Sequence, residues 1–136
     1  MEKLAWTSQM SLGDAEMDGA HKAFVEQLGV LVELPDTAFG AGLSALVAAM
    51  ETDFRHEEEQ MERLNYAGLQ AHREQHARVL SALHHVVPDV MKGDTASARH
   101  ALELLPQWFV FHLSTMDTAL AVASDMAGSE ATAGDA

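Results

Sequence analysis

The chain has 136 residues, no cysteine and a formal net charge of −13 at pH 7. This length suits one compact domain. The missing cysteine excludes disulfides, thiolate metal sites and iron–sulfur clusters, and it fits a cytoplasmic location. The acidic balance argues against nucleic acid and anionic membranes as partners, and there is no apolar run of about 18 residues that could span a bilayer.

The secondary-structure elements are predicted from the composition and from the positions of the prolines and capping residues. No alternating β-branched run occurs, and good helix formers dominate, which favours an all-α protein. After an irregular arm over residues 1–17, Asp18 is placed to cap a first helix that ends before Pro35. Further helices are predicted from residue 38 or 42 to 64, over 69–87 before Pro88, and from 94 or 95 to 124, with a kink at Pro106.

Four helices joined by short connections predict an up-down-up-down four-helix bundle with an irregular N-terminal arm. A three-helix or swapped arrangement is the alternative. We assign residues 1–126 to the bundle domain. Residues 127–136 are small and polar, and we expect them to form a disordered C-terminal tail.

Polar side chains interrupt the apolar stripe of every helix. On the second helix Glu57 falls in the middle of the stripe and Asp53 lies one turn earlier on its flank, whereas His56 points away from it. The third helix carries two histidines in its stripe. The candidate metal ligands are His21, Asp53, Glu57, His72, His76, His112 and Asp117.

This set predicts a shared metal site. A single histidine on an apolar face is usually a core side chain bonded to a carbonyl, but buried carboxylates and histidines on four helices need a compensating cation. Seven side chains exceed what one ion takes, which favours two ions with bridging carboxylates. Mixed imidazole and carboxylate ligation suits iron, or less favourably manganese, rather than zinc. The remaining histidines are expected to be solvated: His56, His84, His85 and His100.

The spacing on the fourth helix predicts an irregularity. His112 and Asp117 are five residues apart, which separates them by about 140° on a regular helix. They can reach one pair of ions from opposite sides of it, or through a π-type bulge. We predict a bulge or irregular turn between them.

Several motifs together resemble those of the bacterial hemerythrins. They are "DGAH", "EEEQM" followed by "NY", "HREQH" and "WFVFHLSTMD", with Trp108 one turn before His112, and the resemblance covers about residues 6–120. It implies a non-haem di-iron centre, oxo- or hydroxo-bridged, that binds O2 reversibly. Glu57 and Asp117 would bridge the irons, and His21 would hold one of them. The resemblance assigns three histidines to the other iron: His72, His76 and His112.

The sequence departs from the family at one ligand. A second histidine is expected one turn before the bridging glutamate, and Asp53 occupies that position in an ungapped alignment. The alternative pairs His56 with Gln60, but both lie off the stripe. An aspartate adds negative charge and favours Fe(III) over Fe(II). We therefore hypothesise that reversible O2 carriage is impaired and that oxidation is faster.

The predicted function is O2 binding for storage, delivery or sensing by a monomer. The alternative is a di-iron enzyme that activates O2 or reduces peroxide or NO. A sensor domain of a larger protein and a metal-free structural bundle are two further readings. A cavity of the size of O2 would favour the carrier, and a wider channel would favour the enzyme.

Overall fold

The computed structural model describes the backbone of residues 4–134 and the side chains of residues 4–128. Its helices are α1 (Ala15–Val32), α2 (Asp36–Arg63), α3 (Leu69–Met91) and α4, which comprises Ala96–His112, a π-helical turn over Leu113–Asp117 and Thr118–Gly134. Each helix packs against the next one along the chain. The turns at 33–35, 64–68 and 92–95 are short, so neighbouring helices are antiparallel. The described residues contain no strand, and the predicted all-α four-helix bundle is confirmed.

The N-terminal arm is irregular, as predicted, and it is tied to α1. Residues 4–14 contain one short 3-10 turn. Asp18 accepts hydrogen bonds from Ser11 Oγ at 2.6 Å and from the backbone N–H of Leu12 at 2.8 Å. The prediction that Asp18 caps α1 is therefore wrong, because this carboxylate holds the arm.

Asp14 is the residue that caps α1. Its Oδ1 accepts hydrogen bonds from the backbone N–H groups of Glu16 and Met17, both at 3.1 Å. An aspartate here also places a negative charge at the positive end of the helix dipole. The first helix consequently begins one turn earlier than the sequence suggested.

Substitution of this cap gives a testable effect. Asp14→Ala is expected to lower the free energy of unfolding by about 1 kcal/mol, because two N–H groups lose their acceptor. Urea unfolding of the metal-free chain measures the change. Glu26→Ala, on the exposed face of the same helix, removes one charge without removing a cap. Equal destabilisation by both substitutions would contradict the capping role.

Two helix ends differ from the prediction at prolines. The second helix begins at Asp36, directly after Pro35, rather than at residue 38 or 42. The Asp36 carboxylate accepts hydrogen bonds from Thr95 Oγ1 at 2.9 Å and from Arg99 Nη2 at 2.8 Å, which fastens this end to α4. The third helix continues through Pro88 to Met91, although a proline has no N–H to bond to the carbonyl four residues earlier.

The last helix is longer than predicted. Its backbone is helical to Gly134 rather than to residue 124, in keeping with the high helix propensity of the alanine-rich segment. Residues 135–136 and the side chains from residue 129 onward lie outside the described part of the chain. The division into a 1–126 bundle and a 127–136 tail stays a prediction. Within residues 4–134, each helix is too short or too polar to cross a membrane.

The core is divided along the bundle into two apolar clusters. The larger one contains Phe24, Phe54 and Phe109, and the smaller one consists of Met17, Met61, Leu120 and Ala121. On three helices, a polar residue lies in sequence between members of the two clusters. These residues are His21, Glu57 and Asp117. The fold thus builds a polar layer between two apolar layers.

Candidate metal centre

Two groups of ligand-type side chains meet in this polar layer. In each group, one ligand atom from every residue lies within 4.8 Å of the others. The first group contains Glu57, His72, His76 and His112, and the second contains His21, Glu57 and Asp117. Glu57 belongs to both groups, so the two sites are adjacent and share a carboxylate.

Asp117 also joins the two groups. Its Oδ2 lies 3.1 Å from His21 Nε2, and its Oδ1 lies 3.2 Å from the Nε2 atoms of His72 and His112. Glu57, on α2, also lies close to these histidines. Its Oε1 is 3.6 Å from His72 Nε2, and its Oε2 is 3.7 Å from His76 Nε2. All four histidines therefore turn Nε2 toward the carboxylates.

The donor atoms at the centre are poorly satisfied by the protein. Among the described residues, three buried atoms that face it have no hydrogen-bond partner: Glu57 Oε1, His76 Nε2 and Asp117 Oδ1. The Asp117 residue is 1% exposed and His72 is 0% exposed, so water cannot easily compensate. Buried groups of this kind are costly unless a cation binds them. The residues fit a metal centre.

Burial controls the protonation of these ligands in the metal-free chain. It raises the pKa of Glu57 to about 8. Burial also lowers the pKa of His72, but the close carboxylates of Asp117 and Glu57 outweigh it and raise the value to about 9. The pKa of His76 falls to about 2 because of burial and the neighbouring His72 and His112. His76 is thus a neutral ligand.

The π-helical turn sets the position of Asp117. The backbone N–H of Thr118 bonds to the carbonyl of Leu113, five residues earlier. Hydroxyl groups satisfy nearby carbonyls: Thr118 Oγ1 donates to Leu113 O at 2.8 Å and Ser114 Oγ donates to Val110 O at 2.6 Å. The extra residue turns Asp117 onto the same side as His112. The predicted irregular turn is confirmed.

Asp53 and His56 lie outside both ligand groups. Both line a cavity of about 280 Å³ that reaches His21, Glu57 and Asp117. Burial raises the pKa of Asp53, and the positive fields of His56 and His21 oppose this. The role of Asp53 as a ligand stays a prediction. As expected, the four histidines outside the predicted ligand set are exposed: His56, His84, His85 and His100.

Comparison with known proteins agrees with this geometry. The family model of the hemerythrin HHE cation binding domain matches residues 12–122. The chain belongs to the hemerythrin family. It is 32% identical over 117 residues to a protein named Bacteriohemerythrin from Ralstonia nicotianae, a match that covers 86% of this chain and 85% of the relative. No solved structure matches the chain significantly.

Other side chains support the ligands of this hemerythrin, and of these the sequence had singled out only Trp108. Glu58 contacts His76, and Gln75 contacts His112. The ring of Phe54 stacks on His76 with centroids 3.8 Å apart, and Trp108 stacks on His112 at 4.7 Å. Glu58 and Gln75 each adjoin a ligand in the sequence, which is the one signal that could have indicated them.

Metal binding to this hemerythrin is expected to release protons. At pH 7 the metal-free site holds a proton on Glu57, with a pKa of about 8, and on His72, with a pKa of about 9. A metal displaces both, together with a proton on His21, whose pKa is lowered by burial but raised overall by the close Asp117 carboxylate. About two or more protons should therefore be released, and affinity should rise with pH. Zinc titration calorimetry in buffers of different ionisation enthalpy measures this number. Binding without proton release would contradict it.

Proposed function

We propose that the chain binds two iron ions in the polar layer and that O2 is its ligand. The observation that carries this proposal is the pair of ligand groups that share Glu57. Three imidazoles and Glu57 would hold one ion, while His21, Glu57 and Asp117 would hold the other. Mixed nitrogen and oxygen ligands suit iron, and manganese less well, whereas structural zinc prefers four tetrahedral ligands.

The protein around the site suits a small neutral ligand. When bound, the two ions would supply the electrons with which O2 is held reversibly. Phe24 and Phe109 stack with ring centroids 5.0 Å apart, and the edge of His21 meets Phe109 at 5.7 Å. These rings exclude water from one side of the cavity and keep its dielectric constant low.

Asp53 is proposed to shift this chemistry toward oxidation. It lies one turn before Glu57 on the wall of the cavity that reaches the second ligand group. This group has three residues, whereas the first group has four. An added carboxylate charge favours the more highly charged oxidation state of a nearby metal. The expected result is faster conversion to the diferric state and impaired reversible carriage of O2.

A second candidate function is supported by the shape of the cavity. Its volume of about 280 Å³ is several times the roughly 30 Å³ that one water molecule takes up in the liquid. Its wall includes polar residues near the surface of α2: His56, Glu59, Gln60 and Arg63. A space wider than O2 favours an enzyme that reduces peroxide.

Anaerobic reconstitution with Fe(II) tests these functions. Metal content and the visible spectrum would be followed as air is admitted and then removed. Two irons per chain and an absorption band that disappears when O2 is removed would support a carrier for storage, delivery or sensing. Prompt, irreversible conversion to a diferric spectrum would support the enzyme, and peroxide turnover would then be measured. Absence of iron binding would overturn both.

A further inference from the structure

The four histidines of the polar layer differ in the hydrogen-bond partner of Nδ1, the outer ring nitrogen, which points away from the centre. His76 Nδ1 lies 3.2 Å from Glu58 Oε2, and His112 Nδ1 lies 2.9 Å from Gln75 Oε1. In the described part of the chain, the Nδ1 atoms of His21 and His72 have no hydrogen-bond partner. His76 is therefore the histidine whose outer nitrogen meets a charged carboxylate.

Glu58 is itself held by an arginine. Arg73 Nε donates to Glu58 Oε1 at 2.8 Å, and Arg73 Nη2 donates to Glu62 Oε1 at 2.7 Å. The Glu58 side chain is 23% exposed, whereas that of Glu62 is 59% exposed. Two carboxylates thus share one guanidinium, and the one that contacts His76 is the more buried.

This arrangement fixes the protonation of the His76 ring. An ionised carboxylate accepts hydrogen bonds only, so the proton of the neutral imidazole resides on Nδ1. The lone pair then lies on Nε2, which faces the centre and has no hydrogen-bond partner in the described residues. Phe54 stacks parallel to the ring at 3.8 Å with an angle of 1° between planes, and so limits its rotation.

A carboxylate bonded to the far nitrogen makes an imidazole a stronger donor to a metal. A guanidinium on the same carboxylate withdraws part of that effect. We propose that Glu58 and Arg73 are positioning residues that set, in opposite directions, how strongly His76 binds its metal. This inference rests on the proposed metal centre, and it does not depend on whether the ligand is O2 or peroxide.

The two residues have opposite expected effects, which a merely structural role would not produce. Glu58→Gln should weaken zinc binding about tenfold and raise the reduction potential of the iron-loaded protein. Arg73→Gln should lower that potential, because Glu58 then polarises His76 more strongly. Glu62→Gln is the matched control: it removes the same charge from the same arginine without touching His76.

The experiment measures zinc affinity by competition with a chelator for the natural chain and the three variants. The Nδ1 proton of His76 is observed by NMR in the zinc-loaded protein, and potentials are measured with iron. We expect the proton resonance to move upfield in Glu58→Gln, to move in the opposite direction in Arg73→Gln, and to stay unchanged in Glu62→Gln. Thermal melting of the metal-free variants separates these effects from misfolding.

The possible outcomes are distinguishable. If the natural chain binds zinc and Glu58→Gln binds it equally well with an unchanged His76 resonance, the pair has no positioning role. Equal changes in Glu58→Gln and Glu62→Gln would overturn it too, since they would reflect overall charge alone. Failure of the natural chain to bind zinc or iron would instead overturn the metal centre, and the positioning role with it.

Discussion

Replacement of Asp53 by histidine is expected to slow oxidation of the iron-loaded centre by about tenfold. The residue lies on the wall of the cavity that reaches the second ligand group. A histidine there would add a neutral donor and remove a negative charge. Both changes lower the preference for Fe(III). The measurement is the rate at which the diferrous spectrum is lost after air is admitted.

Two control variants make the result specific. Asp53→Asn removes the charge without supplying an imidazole, so it should slow oxidation less than Asp53→His does. His56→Ala tests the alternative ligand, and we expect it to leave the iron content at two per chain. An oxidation rate that is the same with aspartate and histidine at position 53 would disprove the hypothesis. Loss of one iron in His56→Ala would identify His56 as the ligand instead.

Loss of the Asp117 charge is the second large effect that we expect. Asp117→Asn should weaken metal binding about a hundredfold or more, because it removes the negative charge of a proposed ligand. The two oxygens of Asp117 lie 3.1 to 3.2 Å from the Nε2 atoms of His21, His72 and His112. The metal-free chain should also lose about 3–5 kcal/mol of stability, the usual result of removing one partner from a buried ion pair. Zinc competition and urea unfolding measure the two effects.

The pH dependence of this variant follows from His72. In the natural metal-free chain its pKa is raised to about 9 from the ordinary value of 6.5, so its stabilising contribution is complete below pH 6.5 and is lost as the pH rises through about 9. Asp117→Asn should flatten this decline, since the anion that raises the His72 pKa is gone. Asp125→Asn, at an exposed position of the same helix, is the control. Similar effects of the two substitutions would contradict the central role of Asp117.

Much of the fold and the centre could be predicted because both depend on helical periodicity. A carboxylate such as Glu57 in an apolar stripe must lie inside the bundle, and the five-residue interval from His112 to Asp117 favoured an irregular turn. The error at Asp18 had a different origin. Asp14 was overlooked as a cap. Asp18 is free to cap only if the arm leaves it unbonded, but Ser11 and Leu12 of the arm both donate hydrogen bonds to Asp18.

Contacts between helices were beyond the reach of periodicity. Glu58 and Gln75 lie at the edges of their helix faces, so their contacts with His76 and His112 depend on how α2, α3 and α4 are rotated against each other. The same limit applies to Asp53. Periodicity brings it to the flank of the stripe, but only the relative position of the helices decides whether a flanking carboxylate lies among the ligands or beside them.

The π-helical turn of α4 makes the centre depend on the phase of the helix backbone. An α-helix rotates by about 100° for each residue, and the π-helical turn over Leu113–Asp117 takes up one residue more than a regular turn. Deletion of a single residue from this turn would therefore restore a regular helix in which the aspartate stands four positions after His112 and stays on its side. If the turn instead became a regular α-helix with all its residues kept, every later side chain would turn by about 100°. Asp117 would then leave the polar layer, and Leu120, which is 0% exposed, would leave the core. The π-helical turn therefore ties the ability to bind metal to the packing of the last helix.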